Sequence, residues 1–275
     1  MEKFTAKYGT WALVAGAAEG LGEAFSRVLA GRGMNLLMVD HQEERMESLG
    51  RQLEADYGIN TRCLALDLAD VGAASTLNAE AAGLDCRLLI YNAAYSRVKP
   101  FLNASPDELD TYIDVNCRTP LKLVHGFAAS MAASGRQGGI LLMSSLAGLI
   151  GMQLVAPYAA TKAFTWNLAE ALHHEWAGSG IDIMACVAGA TATPAYLSTE
   201  PEYGWVKPSV LDPDNVANGA LNKLGKRVRY IPGCSNRLNY FILTRLMPRK
   251  MAAGMANRTM AKMYRRQKNE NTAGS

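Results

Sequence analysis

Tyr158 and Lys162 stand four residues apart in "VAPYAATKAF", so on a helix they share one face, and Ser145 lies thirteen residues before the tyrosine at the end of an apolar run. An ammonium beside a phenol favours the phenolate, lowering its pKa from about 10 toward a range in which it takes an alcohol's proton. A hydroxyl at Ser145, or at the neighbouring Ser144, orients the reacting oxygen; the thirteen-residue spacing favours Ser145. The plain alternative is an aromatic and a cation on a helix surface. With 11 tyrosines in the chain, a lysine four residues beyond one of them is common by chance, so the pair needs its context.

That context begins at the other end of the chain. "TWALVAG" runs directly into "AGAAEGLGEAF", placing Gly16, Gly20 and Gly22 at a strand-to-helix turn. Glycines there allow a tight bend and let backbone N–H groups approach a pyrophosphate at the positive end of the next helix. The spacing is GxxxGxG rather than the commoner GxGxxG, and a turn that only packs a helix on a sheet is the bland reading. Asp40 ends a second apolar run 18 residues beyond Gly22, where a carboxylate accepts hydrogen bonds from an adenosine ribose 2′-OH. It would repel the 2′-phosphate of NADP. The neighbours His41 and Glu19 offer no cation to offset that repulsion, so NAD is the expected cofactor and no Arg or Lys is expected nearby.

The elements that must position these residues alternate regularly. Apolar runs at 10–16, 35–40, 62–67, 87–92, 139–145, 181–188 and 227–233 suit strands covered on both faces, and helical patterns fall between them at 20–32, 42–57, 70–82, 105–134, 157–178 and 212–225. "SPDE" and "DPDN" open two of these helices as caps. The alternation predicts an α/β fold, a doubly wound parallel sheet in a single domain.

With 275 residues, 49% hydrophobic, the chain can bury one sizeable core. No uncharged apolar run approaches membrane-spanning length and the N-terminus has no signal-like pattern, so a cytoplasmic protein is expected. Cys63, Cys86, Cys117, Cys186 and Cys234 are scattered, and His125, His173 and His174 lack ligand spacing, which predicts free thiols and no metal. The net charge of +3 is uneven: residues 215–269 hold 13 Lys and Arg and no acid, whereas residues 1–214 hold 15 bases and 24 acids.

The ordered landmarks resemble those of the short-chain dehydrogenase/reductase family from about Trp11 to about Pro194. They are "AGAAEGLG", Asp40, "LDL" with Asp67, "YNAA" with Asn92, "VNC" with Asn116, Ser145, "YAATK", and "AGATAT" ending at Thr193. The resemblance implies a Rossmann fold and a catalytic set in which Tyr158 is the acid/base and Lys162 binds the nicotinamide ribose and depresses the tyrosine pKa. Ser145 polarises the substrate oxygen, and Asn116 supports a proton relay to water. It further implies cofactor contacts from Gly16, Glu19, Gly20, Leu21, Gly22, Asp40 and His41, from Asp67 and Leu68 facing the adenine, and from Asn92 and Ala93. Gly189, Thr191 and Thr193 would meet the nicotinamide end. Ala15, Tyr91, Ala94 and Ala188 depart from the family pattern, all in supporting positions.

The combined expectation is an NAD-dependent oxidoreductase that interconverts a secondary alcohol and a ketone. A nucleotide-sensing protein on the same fold is the alternative. Residues 1–233 would form the catalytic domain, with a substrate lid near 194–211 whose Tyr196, Leu197, Tyr203, Trp205 and Val206 suit a bulky hydrophobic substrate, either a hydroxysteroid or a long-chain 3-hydroxyacyl or 3-oxoacyl thioester. By the resemblance, helices near 105–134 and 157–178 would join a homodimer or homotetramer, helped by Leu121, Val124, Phe127, Phe164, Leu168 and Leu172. Residues 234–275 would be a basic amphipathic extension with a disordered end. Its role is either peripheral contact with a membrane surface or packing on an acidic body; nucleic acid is not expected, because stacking aromatics and a recognition motif are missing.

Overall fold

The apolar runs become seven strands: β1 (Trp11–Ala15), β2 (Asn35–Asp40), β3 (Thr61–Ala65), β4 (Cys86–Tyr91), β5 (Gly138–Ser145), β6 (Ile181–Ala188) and β7 (Arg229–Tyr230). The computed structural model describes residues 2–203 and 208–265 and orders the strands β3-β2-β1-β4-β5-β6-β7, every pair parallel. Leu13, Val14, Leu37, Met38, Leu89 and Ile90 are fully buried, as two helical layers on one sheet require.

The helices are α1 (Glu2–Tyr8), α2 (Gly20–Ala30), α3 (Glu43–Tyr57), α4 (Ala73–Ala82), α5 (Pro106–Ile113), α6 (Thr119–Ser134), α7 (Ala156–Glu175), α8 (Pro194–Leu197), α9 (Pro213–Lys223), α10 (Cys234–Phe241) and α11 (Arg249–Met263). One apolar cluster joins α2 and α9 to the sheet through Phe25, Leu29 and Leu221; the other joins α4 and α6 through Leu77, Leu123 and Phe127. The chain moves outward from β1 to β3 and then returns to place β4 beside β1. The resulting crevice at the carboxyl ends of the strands is where open α/β sheets bind ligands.

Three local features differ from the sequence expectation. The helix expected over 105–134 contains a π turn at Asp114–Arg118, where an extra residue widens the turn and leaves Asn116 facing inward, 2% exposed. The last strand shrinks to two residues. Beyond it, α10, a second π turn at Ile242–Leu246 and α11 continue the described chain. The expected caps are present: Ser105 and Glu108 form a capping box, and Asp212 accepts from the Asn215 N–H. Trp205 and Val206 of the expected lid, and the polar end 267–275, lie outside the described residues. All five cysteines are free.

Candidate active site

Ser145 ends β5, and α7 returns the chain so that its first turn, begun by Pro157, carries Tyr158 to that strand end. The Ser145 hydroxyl accepts from the Ala147 N–H at 3.2 Å, and its side chain stands near enough to the Tyr158 phenol to favour the ionised form. Ser144 faces the other way: it is buried and donates to the Lys162 carbonyl at 2.8 Å, which removes it as an alternative. Lys162, one turn on, is 4% exposed; its Nζ donates to the Met143 carbonyl at 2.8 Å and sits 5.5 Å from the Tyr158 ring centroid.

Burial works against the expected depression of Tyr158 by Lys162. It raises the Tyr158 phenol above its ordinary value, the Ser145 side chain opposes this, and the nearby Tyr112 phenol adds to it. Burial likewise pulls the Lys162 ammonium down to about 8. Desolvation is the largest effect on both groups, and the ammonium gives one hydrogen bond to the Met143 carbonyl.

Asn116 closes the far side of this site. Its Oδ1 accepts from the Tyr95 N–H at 2.7 Å, and its Nδ2 donates to the Tyr95 carbonyl at 2.9 Å and to Thr161 Oγ1 at 3.0 Å. Thr161 Oγ1 in turn donates to the Tyr158 carbonyl at 2.9 Å. The π turn therefore pins the β4 exit loop to the first turn of α7. Leu154, just before α7, adopts φ 65°, an unfavourable conformation for a leucine, held by its burial and by the Lys99 N–H on its carbonyl at 2.9 Å.

On the nucleotide side, Gly16 and Gly20 have positive φ, and a Cβ on Gly16 would lie 2.8 Å from the Ala93 backbone. Gly22 has no room for a Cβ at all, since it would strike the Gly16 carbonyl. Asn92 Nδ2 straps the crevice by donating to the Gly16 carbonyl at 2.9 Å. The first-turn N–H groups of Gly20 and Leu21 open α2 without a side-chain cap from Glu19, which leaves them for an anion. Asp40, 6% exposed, accepts from the Ala18 N–H at 3.0 Å and the Gln42 N–H at 3.1 Å, with His41 Nδ1 at 3.3 Å. Leu68 is buried; Asp67 is exposed, and its carboxylate accepts from the Ala69 N–H. This donor set fits a dinucleotide.

Arg45 is the residue that sequence reasoning missed here. The expectation of no nearby cation is wrong: its Nε donates to the Ala18 carbonyl at 3.0 Å and its guanidinium pairs with Glu19 at 3.0 Å. Its place in the first turn of α3 is visible in the sequence, but the return of its side chain to Ala18 is not.

The loop after β6 brings Thr191 and Thr193 to the same edge. Thr191 bridges to Leu211, and Thr193 caps α8 close enough that a Cβ on Gly20 would meet its side chain at 3.0 Å. Gly189 packs on the buried Asn236 of α10. Next to this loop lies a clamp that no spacing announces. Gln153 donates its N–H to Asn257 Oδ1 at 2.7 Å and its side-chain amide to the Asn257 carbonyl at 2.6 Å, while Asn257 Nδ2 reaches the Gly151 carbonyl at 2.9 Å. Tyr196 and Tyr203 share a hydroxyl bond of 2.7 Å, Thr199 and Tyr264 one of 3.1 Å, and the Glu202 N–H donates to the Met263 carbonyl at 2.8 Å. The basic extension thus packs on its own chain. A cavity of about 380 Å³ beside the clamp, lined by Met152, Gln153, Ala160 and Arg249, opens on a face of α7 turned away from Tyr158 and is not the catalytic crevice.

The family model described as short chain dehydrogenase matches residues 10–203. The chain belongs to the short-chain dehydrogenase family. It is 33% identical over 234 residues to a 7beta-hydroxysteroid dehydrogenase of Collinsella aerofaciens, covering 84% of this chain and 89% of that one. It is 32% identical to a very-long-chain 3-oxoacyl-CoA reductase of Neurospora crassa, over 80% of this chain and 66% of the relative. A solved 7beta-hydroxysteroid dehydrogenase structure superposes with a TM-score of 0.86 at 30% identity, covering 92% and 98% of the two chains. A short-chain dehydrogenase from Sphingobium yanoikuyae in complex with NADPH shares the fold at a TM-score of 0.75 and 24% identity, over 85% and 91%. This chain is therefore an oxidoreductase of that family, and family members use a nicotinamide cofactor. Among the described residues, no helix is long and apolar enough to cross a membrane and no group of three or more His, Cys, Asp or Glu is placed to hold a metal.

Proposed function

We propose that the protein is an NAD-dependent dehydrogenase/reductase that interconverts a secondary alcohol and a ketone on a bulky hydrophobic substrate. A hydroxysteroid is the first class to test and a long-chain 3-hydroxyacyl or 3-oxoacyl thioester the second, following the names of the relatives. The observation that carries the reading is the placement of Ser145 at the carboxyl end of β5 and of Tyr158 in the first turn of α7, with the buried Lys162 Nζ 5.5 Å from the Tyr158 ring centroid.

In the direction of oxidation, Tyr158 Oη takes the proton of the alcohol as its carbon gives up a hydride, and Ser145 holds the reacting oxygen. The nicotinamide supplies the hydride acceptor and, when oxidised, a positive charge that favours the phenolate. Lys162 holds the nicotinamide ribose, Asn116 fixes the first turn of α7, and Gly16, Gly20, Leu21 and Gly22 receive the pyrophosphate. Asp40 receives the adenosine ribose, with Asn92 and Ala93 lining the crevice and Thr191 and Thr193 closing it. The carboxylates of Asp40 and Glu19 support NAD over NADP.

The substrate would lie beside the 149–154 loop, which the Gln153–Asn257 clamp holds against α11, and the 194–203 segment, which Thr199 and Glu202 tie to Tyr264 and Met263. For the oligomer, Leu121 at 44% exposed supports a homodimer or homotetramer interface, whereas Val124 and Phe127 are spent in the chain's own core. Purified protein should bind NADH and, with NAD+ as the hydride acceptor, oxidise members of a hydroxysteroid and hydroxyacyl panel. Binding without turnover across that panel would instead favour a nucleotide sensor, and a monomer mass by light scattering would remove the oligomer.

A further inference from the structure

The corner where β2 ends beside the glycine turn holds both signs of charge around a single residue. Ala18 gives its N–H to the Asp40 carboxylate at 3.0 Å and takes the Arg45 Nε on its carbonyl at 3.0 Å, so carboxylate and guanidinium reach the same peptide from two sides. The Arg45 guanidinium then pairs with Glu19 at 3.0 Å and lies 4.0 Å from Glu23. Glu23 is already engaged by Arg27 at 2.8 Å, which leaves Glu19 as the principal counter-ion of Arg45.

We propose that Glu19 sets the cofactor preference through Arg45: the guanidinium is the group this corner would offer to a 2′-phosphorylated dinucleotide, and Glu19 keeps it neutralised. The proposal rests on the dinucleotide reading above. A guanidinium matches phosphate with its planar fork of donors, and Arg45, 47% exposed, has donors left beyond those given to Glu19 and Ala18. An ion pair this exposed is weak, so the guanidinium is free to turn once the carboxylate is gone. Asp40 makes a different contribution. It is buried and tied to two backbone N–H groups, so its carboxylate is held in place for the adenosine ribose, whereas Glu19 and Arg45 sit at the solvent edge of the turn.

The test is a double-mutant cycle read by binding, with NADH and NADPH titrated by their own fluorescence into the full-length wild type, E19Q, R45Q and E19Q/R45Q. Removing the Glu19 charge should tighten NADPH relative to NADH by about tenfold. In the R45Q background the same change should gain less than about threefold, since its beneficiary is missing. An equal gain in both backgrounds means that Glu19 acts by its own repulsion alone and overturns the proposal, as does no gain in either. If E19Q fails to fold, E19T enters the same cycle with the same expectations. Failure of the wild type to bind NADH at all would strike the dinucleotide reading itself, which separates the two ideas.

Discussion

The nucleotide half of the crevice is held by backbone groups and glycines, and the substrate half by side-chain amides and phenols. Around Gly16 the fastening contacts are the Ala18 N–H on Asp40, the Gly16 carbonyl on Asn92 and close backbone approaches that exclude a Cβ. Around Gln153 they come from one asparagine 104 residues further along the chain, while the neighbouring 196–203 segment is fastened by tyrosine hydroxyls, Tyr196 to Tyr203 and Thr199 to Tyr264. Backbone contacts of the first kind tolerate few side-chain types and hold a fixed shape. Contacts of the second kind hold a wall whose lining can change while the chemistry beside it stays in place. The comparison teaches that the glycine turn and the loop before α7 rest on separate supports, so that on the proposed reading cofactor and substrate binding can be altered one at a time.

The sharpest cut is at the phenol. Tyr158→Phe should lower kcat by about 10²–10⁴-fold, as for the loss of a general acid/base, and leave NADH binding within about threefold. Steady-state rates and fluorescence titration measure the two, and a variant with near-native turnover removes the assigned role.

Lys162 offers a measurement on the folded protein alone. Burial lowers it to about 8 from 10.5, so between those values the unfolded chain binds the proton that the folded chain has released. Its unfavourable contribution is complete below pH 8 and is relieved as pH rises through the window. The urea stability of wild type relative to Lys162→Met should therefore increase from pH 7 to pH 10, by up to about 2 kcal/mol. A flat difference would mean that the ammonium is better solvated than its 4% exposure implies.

Asn257→Ala tests whether the two supports are separate. Losing its two side-chain hydrogen bonds to residues 151 and 153 should raise the substrate KM by about tenfold, since each is worth about 0.5–1.5 kcal/mol and part of the loss is made good by water. NADH affinity should stay put; an equal rise in its Kd would merge the two regions into one. Tyr203→Phe, which removes a single hydroxyl partner of Tyr196, should change KM by only about two- to threefold.

The elements were legible where physical constraint is local. Runs buried on both faces read as parallel strands, "SPDE" and "DPDN" read as caps, and the glycine turn read as a turn because positive φ and close approach admit few other residues. The π turn was not legible, because nothing in "DVNCR" differs from ordinary helix until Asn116 finds Tyr95 and Thr161. Nor was Arg45: its importance depends on α3 leaving β2 at an angle that returns the guanidinium to Ala18.

What the sequence by itself determined is the order of the reactive types along the chain, from the glycine turn and Asp40 through Asn116 and Ser145 to Tyr158 and Lys162, because helix and strand periods set which residues can share a face or end a strand. Tertiary structure alone decided the state of those groups. Burial raised the Tyr158 phenol and lowered the Lys162 ammonium, a carboxylate at Glu19 met a cation at Arg45, and the described part of an extension written as a basic tail came to hold the 151–153 loop through Asn257. The reason is that desolvation and pairing energies depend on which groups meet in space, and the sequence pattern places no partner 104 residues away.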